Sequence, residues 1–490
     1  MNLWLKSAKR LSRNLPLDAD NAPLLEKTFL FDAVEDSYEV SGITGRIPAW
    51  LRGCYYMNGP ARFERGGQRY NHWLDGDGMI CALRFTGEGV RFTNRFIQTP
   101  KLRDEDAAGR FIYRGFGTAF PGDHLLRNVM LEPPVNVSVY PFAGTLLAFG
   151  EQSLPLELDP HTLETKGEYD FNGNLNGVSP FAAHAKIDPV NGNLLNFGIS
   201  FSATQPMLNV YEFDPAGELI RRRRHPLKYQ HSVHDFGFTA NHVAFYLSPL
   251  LMDFQRFWAE GISVMESLSW EPEKGSRILI APRASKTEQS FTVEVDPCYC
   301  LHLINCFEEH GQVIVDVLEM DRPVYGEYQP VPDLFQTVSA CRPVRFIIDI
   351  ATRQIVEKLS MAYDKATDFP AVDAALHGLG YDSFWALGIG ACGKPGRKFF
   401  DQLVKGSWKA GGVCDRYEVP QGEYLGGEPV CVMNPADPDE AVVVVIHSMP
   451  AEGRAEYLLF DGHKLSAGPI ARLPLRHPIH AGFHTCFHFE

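Results

Sequence analysis

Short apolar runs separated by turn residues dominate the chain. Leu146–Phe149, His242–Leu247, Val313–Val317 and Ala441–Ile446 are rich in Val, Ile, Leu and aromatic residues, and helical periodicity is scarce beyond the N-terminus. One local pattern recurs: an apolar residue, Asp, often Pro, then a reversal and a strand. It reads LDPHTLETKGEY from Leu158, IDPVNGNLLNF from Ile187, FDPAGELIRR from Phe213 and IDIATRQIVEK from Ile348, with a looser copy, FDGHKLSAG, from Phe460. Each copy places Asp with Gly, Asn or Thr where an antiparallel hairpin must reverse. Hairpins repeated over several hundred residues without βαβ alternation predict an all-β protein, a β-propeller in preference to stacked sandwiches. The spacing is too irregular to count blades.

Two stretches break the pattern. Ser248–Trp270 is rich in Leu, Met, Phe and Trp, which predicts a partly helical insertion on one face, a lid or a membrane-facing patch. At the N-terminus, Trp4, Ala8, Leu11 and Leu15 share a helical face and Lys6, Lys9, Arg10 and Arg13 are basic. Residues 1–20 are therefore expected to form an amphipathic segment that lies in a membrane interface or packs on the protein's own surface. Residues 21–490 are read as a single propeller domain. No apolar run approaches the roughly 20 residues needed to span a bilayer, and the N-terminal segment lacks the apolar stretch of a secretory signal.

Composition narrows the function. With 490 residues, 45% of them apolar, the chain can bury a large core. A net charge of −14 excludes a broad nucleic-acid surface. Arg221–Arg224 is the dense basic patch, and with no aromatic residues interleaved it reads as a solvated hairpin edge. Ten cysteines at no framework spacing suit the reduced thiols of a cytoplasmic protein, with peripheral membrane contact through the N-terminus. Cys298, Cys300 and Cys306 lack paired CxxC spacing and are expected to be buried thiols, not zinc ligands.

The histidines carry the candidate chemistry. His477, His480, His484 and His488 fall three or four apart, but Pro478 and Gly482 break any helix that would stack them. His184 in FAAHAKIDP, His234 in SVHDFGFT, His302 in CLHLINCFEEHG and His484 in AGFHTCF each begin or end a strand-like run and are far apart in sequence. Propeller strands that point at one axis could bring one ligand from each of several blades to a single point; the alternative for any one of them is a hydrogen-bonded core histidine. His72, Asp75 and Asp77 in HWLDGDGM suggest a second metal, but DG-DG is better read as a tight turn needing positive φ.

The stretches YMNGP at Tyr56, HWLDGDGM at His72, VHDF at Val233, HLIN at His302, GEPV at Gly427 and GFH at Gly482 occur in an order and combination that resembles the carotenoid cleavage oxygenase family. The resemblance implies a seven-bladed β-propeller with a cap of helices and loops on one face. It also implies a non-haem Fe(2+) bound by His184, His234, His302 and His484. Neutral imidazoles suit divalent iron and leave it electrophilic. Three carboxylates would orient these rings: Glu151 for His234, Asp368 for His302 and Glu428 for His484. The family pattern has Glu where Asp368 stands, so either the backbone moves inward, a water bridges, or Asp368 is a turn residue only.

Val137 falls near the metal where many members have Thr, and its methyls could shield one coordination position. Gly150 stands where stilbene-cleaving relatives tend to carry a Lys that engages a phenol, which argues for a long apolar polyene. Aromatic content of 12% fits a tunnel lined by ring faces, although most of the 33 Phe must be core. The implied activity is cleavage by O2 of one conjugated double bond of a carotenoid or apocarotenoid to two carbonyl products, by a monomer or weak oligomer. The alternatives are a stilbene-cleaving dioxygenase, a retinoid isomerohydrolase, a zinc-dependent propeller hydrolase and a metal-free binding scaffold.

Overall fold

Seven antiparallel sheets of four or five strands are arranged as the blades of a propeller. This computed structural model describes residues 25–125, 131–200, 205–285, 287–329, 334–394 and 396–490. The amphipathic segment expected at residues 1–20 lies outside the described residues. The innermost strands are Ser138–Phe142, Lys186–Ile187, Gly237–Phe238, Leu303–Glu309, Ala366–Ala371, Tyr424–Asn434 and Thr485–Phe489. Blade middles are buried on both faces because neighbouring blades stack on them, which explains the unbroken apolar run Ala441–Ile446. Outer strands are polar: Gln354–Ser360 is exposed along nearly its whole length. Arg221–Arg224 lies on the outer strand Leu219–Pro226, mostly in solvent, with Arg221 paired to Glu212 at 2.8 Å, as the sequence predicts.

The ring closes by exchange between distant parts of the chain. Thr485–Phe489 is the innermost strand of the blade that begins with Gly53–Arg62, with Met57 opposite Thr485 and Gly53 opposite Phe489. Ser37–Glu39 forms the outer edge of that blade, and Thr44–Gly45 adds to the outer edge of the neighbouring one through Ala471–Pro474. Residues 37–45 therefore staple two blades from outside while 485–489 closes one from inside.

Antiparallel order sorts the connections by face. Links from a first to a second strand, and from a third to a fourth, emerge on one face; all five copies of the recurring hairpin are of this kind. The recurrent Asp caps its own turn: Asp159, Asp188, Asp214, Asp349 and Asp461 each accept a backbone N–H two or three residues on, at 2.7–3.0 Å. The opposite face carries the long links, whose described residues 63–76, 97–125, 131–137, 248–275, 321–329, 334–340, 390–394 and 396–401 form the cap. The insertion expected at 248–270 pairs Leu250–Met252 with Leu268–Trp270 and carries the short helices Phe254–Ala259 and Val264–Ser267, capped by Asp253 and Ser263. Arg114 ties it down, donating to the carbonyls of Phe257 at 3.2 Å and Ile262 at 3.3 Å. Among the described residues no helix is long and apolar enough to cross a membrane. All ten cysteines are free, and Cys298, Cys300 and Cys306 are buried.

Candidate metal centre

The cap face is also the face on which the innermost strands receive their ligand-type residues. Val137, His184, His234, His302 and His484 lie one to three residues before the start of an innermost strand, and Asp368 and Glu428 lie within one. Each of the seven blades thus delivers one residue of the predicted set to the axis. Glu151 follows Thr145–Phe149, the second strand of the blade that begins at Val137.

The four histidines converge. One nitrogen from each lies within 4.8 Å of the others, and neighbouring ring centroids are 4.2–5.4 Å apart, with His234 and His484 facing each other at 6.2 Å. Nε2 of His184 is 2.9 Å from Nε2 of His234. A metal about 2.1 Å from each nitrogen would hold adjacent ligands about 3 Å apart and opposite ones about 4.2 Å apart. Nε2 of His302 is buried and has no hydrogen-bond partner, a costly orphan unless it ligates something. These are donors that fit a divalent ion of the imidazole-binding class.

The outer nitrogens explain why the Nε2 atoms face inward. Nδ1 of His302 donates to Asp368 Oδ1 at 2.6 Å; that carboxylate also accepts from Phe369 N at 2.8 Å and the Tyr328 hydroxyl at 2.9 Å. The bond is direct, without a bridging water. The strand bulges between Asp368 and Ala371, and Phe369 adopts φ 54°, so the backbone supplies the reach that a longer Glu would have given. Nδ1 of His234 contacts Glu151 Oε1. Nδ1 of His484 is 3.4 Å from Glu428 Oε2, which also takes Thr485 N at 3.3 Å.

Electrostatics follow burial and partners. Burial, reinforced by the neighbouring imidazoles, holds His184 and His484 well below the usual histidine range, so both are neutral. Burial acts in the same direction on His234, but the Glu151 carboxylate outweighs it and raises that pKa. Burial pushes Glu428 up to about 7, partly offset by His302. Burial would raise Asp368 too, yet His302 and the donors around it hold it below the ordinary carboxylate range.

The remaining candidates sort differently. Val137 is buried, and its carbonyl accepts His484 N at 3.2 Å, so its backbone helps set the strand that follows His484. His480 is buried, His477 is exposed near Asp36, and His488 pairs in register with Cys54; none joins the cluster. His72, Asp75 and Asp77 do not form a second site. His72 bonds the Leu74 N–H and the Tyr325 carbonyl, Asp75 accepts from Thr118, and Asp77 pairs with Lys101 and Arg65. The reason expected for the DG-DG glycines also needs correction. Gly76 has φ −62° and Gly78 is not left-handed. They are needed for close approach: a Cβ on Gly76 would lie 2.8 Å from Pro60 Cβ, and one on Gly78 2.3 Å from the Val135 carbonyl.

Sequence reasoning missed three participants. Asp235 directly follows His234, Lys186 is two residues beyond His184, and Tyr328 lies in a cap link; only the first two had a signal, adjacency to a candidate histidine. Above the cluster, Phe369 lies 5.3 Å from His302 and 5.5 Å from His484, and Phe483 and Trp73 extend this apolar roof with centroids 4.5 Å apart.

Comparison with known proteins finds relatives over nearly the whole chain. The family described as "Retinal pigment epithelial membrane protein" matches residues 31–488. The apocarotenoid-15,15'-oxygenase of Synechocystis sp. is 28% identical over 91% of this chain and 92% of that one. The isoeugenol monooxygenase of Pseudomonas nitroreducens is 25% identical over 95% and 98%, and the lignostilbene-alpha,beta-dioxygenase isozyme III of Sphingomonas paucimobilis 28% over 90% and 92%. A crystal structure of the cobalt-substituted Synechocystis apocarotenoid oxygenase superposes with a TM-score of 0.87 at 26% identity, covering 96% of this chain and 99% of that one. With its seven blades, its four axial histidines and a family match over nearly its whole length, the chain belongs to the retinal pigment epithelial membrane protein family and is an oxygenase of that family.

Proposed function

We propose that this protein is a non-haem iron(II) dioxygenase that cleaves one conjugated double bond of a carotenoid or apocarotenoid with O2, giving two aldehydes. The observation that carries this reading is the convergence of four imidazoles, three of them buried and that of His234 partly buried, with the Phe369 ring packed against two of them. His184, His234, His302 and His484 are the ligands. When bound there, iron(II) supplies the redox chemistry by which dioxygen adds across a carbon–carbon double bond. Glu151, Asp368 and Glu428 hold the protons at Nδ1 of His234, His302 and His484, so each Nε2 keeps its lone pair for the metal. Phe369, Phe483 and Trp73 pack as a buried apolar group beside the cluster, which keeps water from that side and suits an apolar substrate. Gly150 offers no ammonium for a phenol, which favours a polyene over a phenolic stilbene. The chain's part is to fix which double bond lies beneath the roof. Because such a substrate dissolves in lipid, residues 1–20 are assigned a peripheral membrane role.

The test is an assay of iron-loaded protein under ¹⁸O2 against carotenoids, apocarotenoids, isoeugenol and stilbenes, with mass identification of products. Labelled aldehydes from a polyene are expected. Cleavage of the phenolic substrates alone would overturn the substrate class. Products formed without O2 uptake, or protein that takes up no iron, would overturn the oxygenase reading.

A further inference from the structure

Three of the four imidazoles have a carboxylate facing Nδ1 within 3.4 Å; His184 does not. Its nearest acidic group is Asp235, with Oδ1 3.7 Å from Nδ1. That oxygen is already engaged: it accepts from Lys186 Nζ at 2.8 Å and from Phe236 N at 2.8 Å. The other oxygen accepts Leu303 N at 2.9 Å. Asp235 is only 2% exposed, whereas Lys186 reaches a cavity of about 20 Å³ lined by Phe236, Leu303, Asn305, Cys306 and His377, room for about one water.

We infer that Asp235 is a positioning residue for the metal centre: one buried carboxylate ties the chain beside His234 to the chain beside His302 and supplies the negative charge that His184 otherwise lacks. The inference rests on the metal reading above. The geometry is specific. Lys186 is two residues from His184, Leu303 follows His302, and Asp235 itself follows His234, so each contact lands beside a different ligand. Two backbone N–H groups and an ammonium engage both carboxylate oxygens, which holds the carboxylate in place. The two partners have opposite effects on a divalent ion. Asp235 attracts it, whereas Lys186 repels it and holds Oδ1 away from His184. A mere brace between blades would make both partners equally necessary; a positioning carboxylate restrained by a lysine would not.

The experiment titrates metal-free protein with cobalt(II) anaerobically, following its visible absorption, for wild type, Asp235→Asn and Lys186→Met. Thermal unfolding of each metal-free form is measured alongside. Asp235→Asn keeps the shape but loses the charge and one acceptor. It is expected to weaken cobalt binding about 10- to 100-fold, the usual loss for a group supporting a ligand. Lys186→Met is expected to bind cobalt more tightly than wild type, because a repelling charge is removed and Oδ1 is freed toward His184. If Asp235→Asn does not fold, the Lys186→Met affinity decides. Asp235→Asn binding within twofold of wild type, or Lys186→Met binding no more tightly than wild type, would overturn the inference. Wild type that binds no cobalt would remove the metal reading itself, and this inference with it.

Discussion

Asp368 gives the sharpest test of how the protein holds its ligands. Its carboxylate serves three buried donors: His302 Nδ1, Phe369 N and the Tyr328 hydroxyl. Asp368→Ala leaves all three without a partner. At about 1–3 kcal/mol for each buried unsatisfied donor, the cost is about 3–9 kcal/mol. That is comparable with the whole stability of a folded domain, about 5–15 kcal/mol, so the alanine variant confounds metal loss with unfolding. Asp368→Asn separates the two. Its amide oxygen can occupy the Oδ1 position and keep His302 and Phe369, while its NH2 meets the Tyr328 oxygen. What disappears is the charge. A charge-assisted bond is about twice as strong as a neutral one, so the imidazole loses about 1–1.5 kcal/mol of support, or roughly tenfold in metal affinity. Anaerobic titration of metal-free protein with iron(II), with thermal unfolding alongside, should show about tenfold weaker binding and little change in the unfolding midpoint. If Asn and Ala both bind iron as wild type does, Asp368 does not support His302 and the assigned pairing is wrong. Asp368→Glu is not expected to improve binding: the added methylene overpacks a buried site at about 1–3 kcal/mol.

Other expectations follow from the same coordinates. A Cβ on Gly59 would lie 2.5 Å from Gly482 Cα and 3.0 Å from Phe483 N, so Gly59→Ala should displace the strand entering His484, lower thermal stability and weaken metal retention together; a stable variant with full metal content refutes this. Burial alone would lower the His242 pKa, but bonds to Glu308 and Glu288 raise it; Glu308, which burial alone would push up, is held at about 2 by His242, Thr239 and Asn241. The raised histidine stabilises fully below its ordinary value of 6.5 and less as pH climbs through its folded value, while Glu308 loses its contribution only as pH falls toward about 2. His242→Gln should therefore cost most at about pH 5–6 and least in alkali, and chemical denaturation showing an equal cost at both would exclude the cluster as the cause. Removing residues 1–15 is expected to lower partitioning onto anionic liposomes without changing iron content; identical partitioning of both forms would argue against an anchor.

How much of this was legible in the sequence depended on how local the signal was. The Asp of each recurring hairpin acts within three residues of itself, so the turns and the all-β class could be read directly. The clustered histidines were visible as residues beside strand-like runs, but which of the 17 converge depends on blade order, and the family resemblance supplied that. The Asp368 bond to His302 could be named but not its geometry, because the bulge and the left-handed Phe369 that shorten the reach are tertiary compromises. The DG-DG reading failed for a similar reason. Glycine serves both reversal and close approach, and a single sequence does not separate them; here Pro60 and the Val135 carbonyl, far along the chain, decide it. Tyr328 carried no signal because it reaches the site from a cap link 40 residues before its partner.

The inner closing strand has a consequence for biosynthesis. His484 and Thr485–Phe489 follow every other blade in order of translation, yet they occupy the axis beside a blade begun at Gly53. A nascent polypeptide halted anywhere before His484 lacks both the clasp of its ring and the fourth imidazole. Prematurely terminated products should therefore be both unlatched and poor in metal, prey for proteases and harmless as catalysts. An ion held by all four histidines would thus report that synthesis has run past His484.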